Sequence, residues 1–438
     1  MKNAVQLNDT AWLTQGPPAK LLAVLDRDGE EARVVGGAVR NVLLGHPPGE
    51  IDVATTALPE EVMRRAAAAG FRPVPTGVEH GTVTVVIDGT GFEVTTLRED
   101  VETFGRKAKV RFGRSWQKDA ERRDFTFNAL SVSRDGTVHD PVGGIEDLEQ
   151  HRVRFIGDPA MRIAEDYLRI LRFFRFHAAY GRGAPDPDGL HACIVAREGV
   201  RKLSRERLRA ELFKLLIAPR AAPTLVVMAE AGLLEEVLGG VPYLAGVANV
   251  IAVEAVLGFE PDPLRRLAGL AVSIAEDAER LWERLRLANV EHERLASMAD
   301  GWWRIDPAIG ESRARALLYR LGPARYLDRI VLAWARAGAE AADIAWRELA
   351  TLPERWQASV SPLKAADLIA RGVPKGPQLG RALAAAEEKW ISAGFPNDAS
   401  ALQRILDEAA RGDEPHSGGA PPHQVRGRLR RGPGAQEN

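Results

Sequence analysis

Glu50 and Asp52 flank Ile51 near the end of Val34–Pro59, VVGGAVRNVLLGHPPGEIDVATTALP, and these two acids have the type and spacing for phosphoryl chemistry. If the segment is a strand, both carboxylates emerge on one face while Ile51 points to the other. Two carboxylates on one edge can share hard divalent cations such as Mg²⁺, which take oxygen ligands and stabilise the attacking and leaving oxygens of a displaced phosphoryl group. Upstream, Val34 and Val35 read as a buried strand. Gly36-Gly37 read as a turn whose backbone N–H groups can approach a phosphate, and Arg40 on the helix that follows offers a forked donor to the same phosphates. A lone Gly-Gly pair is more often an ordinary turn, and a lone Glu-x-Asp a solvated strand edge. The ordered combination points to nucleotidyl transfer.

Further along lies Arg122–Leu130, RRDFTFNAL, in which Arg123 can only donate and Asp124 can only accept hydrogen bonds. Together with the Gly-Gly segment it resembles the class II tRNA nucleotidyltransferases of the DNA polymerase β superfamily, a group that includes CCA-adding enzymes and bacterial poly(A) polymerases. The first motif of that family reads GG-x-V-R-D followed by D-x-D. Gly36, Gly37, Val39 and Arg40 match it, whereas Asn41 and Glu50 each stand where the family usually has Asp. Glutamate carries the same charge on a chain one methylene longer. RRDFTFNA resembles the second motif, and the resemblance implies that Arg123 and Asp124 hold triphosphate and ribose. His139–Leu148, HDPVGGIEDL, resembles the third motif, a hinge between head and neck. His139-Asp140 alone could suggest a metal phosphohydrolase, but that class needs further spaced histidines, and the chain's nine do not form such a set.

The elements that must position these groups are legible in outline. Gly81–Arg98 alternates around Asp88-Gly89 and reads as a hairpin. Glu93 interrupts its second strand, either as a third carboxylate facing the metals, which the resemblance supports, or as a solvated outward Glu. Glu99–Arg123 is polar and basic, with Arg106, Lys107, Lys109, Arg111, Arg114, Lys118, Arg122 and Arg123. It reads as a loop, and the resemblance implies a flexible loop needed for adding the terminal adenosine. From Asp158-Pro159 the period becomes helical, with Asp158 as N-cap. On this helix Asp166, Arg169, Arg172 and, less closely, Arg175 fall three apart on one face. That is either an intrahelical ion ladder or a polar stripe aimed at one object. The resemblance implies that Asp166 and Arg169 read the Watson–Crick edge of cytosine or adenine, both of which pair an amino donor with a ring-nitrogen acceptor. Arg172 and Arg175 extend this nucleotide-binding set.

Ser204–Leu216 reads as a capped helix whose charges brace the neck, in a segment resembling the fifth motif. Residues 220–410 carry Ala, Leu, Arg and Glu at helical spacing, and Trp282, Trp302, Trp303, Trp334, Trp346, Trp356 and Trp390 read as packing rather than base-stacking residues. From about Arg411 no apolar period remains and a disordered tail is expected, its Arg426, Arg428, Arg430 and Arg431 available for a weak RNA contact. The net charge of −1 over 438 residues argues against a globally basic nucleic-acid binder, so RNA contacts must come from local patches. Cys193 is the one cysteine, which excludes an intrachain disulfide framework and suits a reducing cytoplasm; no signal pattern or long apolar run indicates export or a membrane.

The expected fold is α+β: a polymerase β-like head of mixed sheet and helices over 1–150, then an elongated all-α array of neck (151–220), body (221–340), tRNA-binding tail (341–410) and disordered end (411–438). The expected function is addition of C, C and A to the tRNA 3′ end from CTP and ATP, with Mg²⁺ on Glu50 and Asp52, Glu93 as a further catalytic acid, and no membrane partner. An adenosine-only enzyme shares every motif. A non-catalytic RNA-binding protein is the reading that Asn41 and Glu50 would favour.

Overall fold

The computed structural model describes residues 5–104, 107–357 and 360–411. The expected disordered tail, its four arginines, and Arg106 of the basic stretch lie outside those residues. The chain divides into two compact units, residues 1–308 with 324–350, and 309–323 with 351 onward.

The first unit opens with strands β1 (Val5–Gln6), β2 (Ala32–Val35), β3 (Asp52–Thr55), β4 (Arg72–Gly77), β5 (Thr82–Ile87) and β6 (Thr90–Thr96). They are followed by β7 (Arg98–Phe104), β8 (Lys107–Phe112), β9 (Ser131–Val132) and β10 (Thr137–His139). Eight of them form one sheet in the order β1-β10-β9-β2-β3-β6-β5-β4. Only the β3–β6 pair is parallel. Register sorts the side chains. Val34 opposes Val53 and Val132, and Val53 opposes Val94, so these valines share one face and are all buried. Val35 opposes Asp52, and Glu93 alternates with Val94, which puts Asp52 and Glu93 on the other face. The β5–β6 hairpin turns at Asp88 and Gly89, with φ of 51° and 82°, as its Asp-Gly predicted.

Three sequence expectations are corrected. Strand β3 begins at Asp52, so Glu50 lies before it in a bend; Pro47, Pro48 and a left-handed Gly49 (φ 70°) stop the strand from extending back. The basic stretch is not a loop. It forms the β7–β8 ribbon and then a short helix, Trp116–Glu121, whose N-cap Ser115 accepts from the Lys118 N–H at 3.3 Å. The expected single helix from Asp158 is two, Pro159–Glu165 and Leu168–Tyr180, because Asp166 is extended (φ −156°, ψ 109°). Its Oδ1 accepts the Leu168 N–H at 3.1 Å, an N-cap-like arrangement that restarts the helix and defeats the i,i+3 stripe. The Asp158 and Ser204 caps are present, accepting from Met161 N (2.8 Å) and Arg207 N (3.4 Å).

An aromatic cluster fastens the RRDF segment to the Leu168–Tyr180 helix. Phe125 lies 4.7 Å from Phe155 and 5.4 Å from Phe176, and Phe127 lies 5.3 Å from Phe176, as ring centroids. The remaining helices of this unit bury charge in partnered networks: Arg294 reaches Asp328 at 2.5 and 2.8 Å and Asp262 at 2.9 Å, and Glu254 accepts from Arg265 at 3.0 Å and Arg266 at 2.7 Å. Cys193 is fully buried, which pushes its thiol pKa far up. Trp334 and Trp346 are core residues, but Trp303 is 54% exposed, contrary to expectation. It shares a single 3₁₀ turn with Trp302, whose indole N–H donates to the Ser273 carbonyl at 2.9 Å; adjacent positions on so tight a turn do not both face inward.

The second unit is helical, with Leu363, Leu368, Trp390, Phe395 and Leu406 among its buried residues and Trp356 packed against them. Its helices include Ala365–Ile369, Pro377–Ser392 and Ala399–Arg411. The 311–337 helical run is interrupted at Gly322 (φ 73°, ψ 165°), where the division between units falls. Among the described residues no helix is long and apolar enough to cross a membrane.

Gly144 opens the Gly144–Glu149 helix hard against the RRDF segment. A Cβ there would collide with the Thr126 carbonyl oxygen and stand 2.8 Å from its carbon and 3.0 Å from Phe127 Cα. Since backbone cannot yield as a side-chain tip does, Gly144→Ala should destabilise the chain by about 1–3 kcal/mol, read as a lower urea midpoint at unchanged slope.

Candidate active site

Between β2 and the Gly37–Leu43 helix, Gly36 adopts φ 69°, and a Cβ there would lie 3.5 Å from Arg123 Nη1. The positive φ is what calls for glycine at this turn; the Arg123 contact alone would admit a Cβ. Arg40, on that helix, is 8% exposed. Its Nη1 donates to Asn128 Oδ1 at 2.7 Å and its Nη2 to Asn41 Oδ1 at 3.1 Å, while the guanidinium lies 4.3 Å from the Tyr180 ring centroid. Burial lowers its pKa, and among the described residues no carboxylate lies within ion-pair distance of it. A buried cation with only neutral hydrogen-bond partners is suited to an anionic ligand.

The opposite wall is acidic. Burial, followed by the charges of Glu50 and Glu93, pushes the Asp52 carboxyl pKa up, against a lowering effect of Arg123. A carboxylate so opposed suits a nearby hard, oxygen-liganded cation, whose charge would relieve the repulsion. Among the described residues no three acidic, His or Cys side chains are drawn together closely enough to form a metal cage.

The second motif supplies anchored cations. Arg123 donates from Nε and Nη2 to Asp119 Oδ2 (3.3 and 3.2 Å) and from Nη1 to the Asn128 carbonyl (3.1 Å). Asp124 is buried and accepts from Phe125 N (2.9 Å), Asn128 Nδ2 (3.0 Å) and Arg172 Nε (2.6 Å). Burial would raise its pKa, but the Arg172 charge and these hydrogen bonds outweigh it and hold the carboxyl below its ordinary value. Arg175 donates to Glu211 at 2.5 Å. Arg169 pairs with Glu165 and donates to the Arg162 carbonyl at 2.8 Å.

Gly36, Gly37, Arg40, Glu50, Asp52, Glu93, Arg123, Asp124, Arg169, Arg172 and Arg175 all line one cavity of about 630 Å³. Asp166 does not. Released from the helical stripe, it receives two hydrogen bonds from Arg207, at 2.6 and 3.3 Å. The intrahelical ladder is likewise absent for Arg172 and Arg175, whose partners come from other elements. Sequence reasoning missed Asn128, Asp119 and Glu211, which hold Arg40, Arg123 and Arg175. For Asn128 the signal was its place inside RRDFTFNA; for Glu211, its polar position on an otherwise buried helical stripe.

Comparison with known proteins supplies the lineage. Residues 32–154 match the family described as Poly A polymerase head domain, and residues 185–246 match the probable RNA and SrmB-binding site of polymerase A. The CCA-adding enzyme of Limosilactobacillus fermentum is 30% identical over 400 residues, 90% of this chain and 96% of that one. The chain belongs to the CCA-adding enzyme family. A solved family structure, the Bacillus stearothermophilus CCA-adding enzyme in complex with CTP, is 29% identical with a TM-score of 0.71 and covers 90% of this chain and 98% of that chain. The zebrafish mitochondrial CCA tRNA nucleotidyltransferase 1 is 41% identical over 278 residues, and the match spans 63% of its length. The resemblance read from the motifs therefore holds, and the mixed-sheet head with helices following is the fold of this CCA-adding family member.

The low pKa of Asp124 carries a sign. Its ionised form contributes stability above the unfolded aspartate pKa near 4, and that contribution is lost as pH falls through the folded value. Asp124→Asn should cost on the order of 1–3 kcal/mol at pH 7, and urea unfolding of variant and wild type should converge as the pH drops below about 4.

Proposed function

We propose that this chain adds C, C and A to the 3′ end of tRNA, using CTP and ATP and no nucleic-acid template. The observation that carries the reading is the two-sided cavity: carboxylates Glu50, Asp52 and Glu93 on one wall and Arg123, Arg169, Arg172 and Arg175 beyond Gly36-Gly37. Arg123 and the turn N–H groups hold the triphosphate, with Arg40 behind them adding charge that no carboxylate pairs with directly. Arg169 presents donors to the incoming base. Asp166 joins it by turning from Arg207, its carboxylate then accepting the exocyclic amino group common to cytosine and adenine. Uracil and guanine present a carbonyl and an N–H there and leave buried polar groups unpaired, which discriminates strongly.

The 3′-hydroxyl attacks the α-phosphorus in line, the α–β bridging P–O bond breaks, and pyrophosphate leaves. Glu50 and Asp52 would hold divalent cations, Mg²⁺ in our assignment, which supply charge stabilisation to the attacking and leaving oxygens. Glu93, on the neighbouring strand, faces the same edge and orients the hydroxyl. Arg172 and Arg175, braced by Asp124 and Glu211, stay fixed as charge develops. We assign the head to 1–150, the neck to 151–220, the body to 221–340 and a tRNA-binding tail to 341–410, with RNA recognised by shape and backbone contacts.

Purified chain incubated with tRNA ending at the discriminator base should add two nucleotides with CTP alone and a third only when ATP is also present. Addition of A alone to tRNA already ending in CC, or long A tails, would instead make it an adenosine-only enzyme. Asp52→Ala should reduce transfer by on the order of a thousandfold or more and leave tRNA affinity within about threefold, measured by filter binding; parallel loss of both would remove the metal-ligand role. Arg169→Ala should admit UTP or GTP before total activity falls, and an equal loss with all four nucleotides would make Arg169 structural.

A further inference from the structure

Asn41 and Glu50, the two residues that depart from the family's first motif, are linked in space. Asn41 Oδ1 accepts from Arg40 Nη2 at 3.1 Å and its Nδ2 donates to the Pro48 carbonyl at 3.4 Å. The amide can face only one way, because a guanidinium only donates and a proline carbonyl only accepts. Its Nδ2 also lies 3.6 Å from the place a Cβ would take on Gly49, which holds φ 70°. One side chain therefore ties the buried arginine to the Pro47–Gly49 turn that delivers Glu50. Glu50 starts outside β3, yet its charge reaches Asp52. A long acid suits an origin set back from the strand.

An aspartate at position 41 would keep the acceptor toward Arg40 but set a carboxylate oxygen against the Pro48 carbonyl, lone pair against lone pair. It would also neutralise Arg40, whose two named acceptors are both neutral asparagines. We propose that Asn41 is a positioning residue matched to Glu50: its amide holds the turn where a glutamate, not an aspartate, completes the cation-binding pair, and it spares Arg40 a directly bonded carboxylate. This inference rests on the nucleotidyl-transfer reading of the same cavity.

The test uses the full chain as wild type, Asn41→Asp, Glu50→Asp and the double variant, each first compared by thermal unfolding. Mn²⁺ affinity is measured without nucleotide or tRNA, from the electron paramagnetic resonance signal of free Mn²⁺. KM for CTP and kcat are measured separately with tRNA. Each single substitution should weaken Mn²⁺ binding about five- to tenfold, as loss of one hydrogen bond or one well-placed ligand atom does. Asn41→Asp should also raise KM for CTP more than it lowers kcat. In the double variant the freed turn lets the shorter acid approach, so its Mn²⁺ affinity should exceed the product of the single effects by at least about threefold. Asn41→Ala gives a second reading: the same loss of Mn²⁺ affinity, with a smaller rise in KM because Arg40 keeps its charge. Unchanged Mn²⁺ affinity in both Asn41 variants, or single effects that simply multiply, overturns the pairing. An inactive wild type would sink the nucleotidyl-transfer reading and leave the Mn²⁺ comparison still to decide the pairing.

Discussion

The buried carboxylate of Asp124 is the interaction on which the geometry of the cavity depends. Taking an ion out of water costs several kcal/mol unless its lone pairs are satisfied, and here the Phe125 N–H, the Asn128 amide and the Arg172 guanidinium together satisfy them. Those donors come from the RRDF segment itself and from the Leu168–Tyr180 helix, so the carboxylate joins two elements far apart in sequence. Asn128 passes the connection to Arg40 through its Oδ1, and Arg172 stands beside Glu211, which in turn holds Arg175. Alternating donors and acceptors thus run from the glycine turn to the helical array, and the Phe125, Phe127 and Phe176 rings pack beside that chain.

Two aspartates in one cavity illustrate how environment divides labour. Asp124 has a lowered pKa because cations and amide donors surround it, while Asp52 has a raised one because burial and two other carboxylates oppose its charge. The first is stable as it stands and acts as an anchor. The second carries an opposed charge as it stands, which either a proton or further positive charge beside it would relieve. That contrast, more than the count of acids, marks Asp124 as an anchor and Asp52 as the candidate for a bound cation.

Local chemistry was legible in the sequence, and interruptions were not. The hairpin at Asp88-Gly89, the caps at Asp158 and Ser204, and the glycine turn all follow from residues within four positions of one another, and each has the form expected. The i,i+3 spacing of Asp166, Arg169 and Arg172 assumed an unbroken helix, and spacing alone does not register that Asp166 caps the next helix instead. Its residue type, good at caps and poor within helices, was the available hint. The basic stretch was read by charge, which hid the alternation of apolar residues in Lys107–Phe112. Asp119 pairs locally, at i,i+3 and i,i+4 with Arg122 and Arg123, a spacing the reading by net charge passed over, whereas Arg207 was out of reach because pairing across elements leaves no periodic trace.

The solitary thiol has a practical meaning. Cys193 is enclosed in the helical core with its ionisation suppressed, so the thiolate that reacts with oxidants and alkylating reagents is scarcely populated in the folded chain. The natural protein is in effect a cysteine-free background. A pair of cysteines introduced at exposed positions on two helices of the first unit would take spectroscopic labels without competition, and their separation could be followed on addition of CTP or ATP.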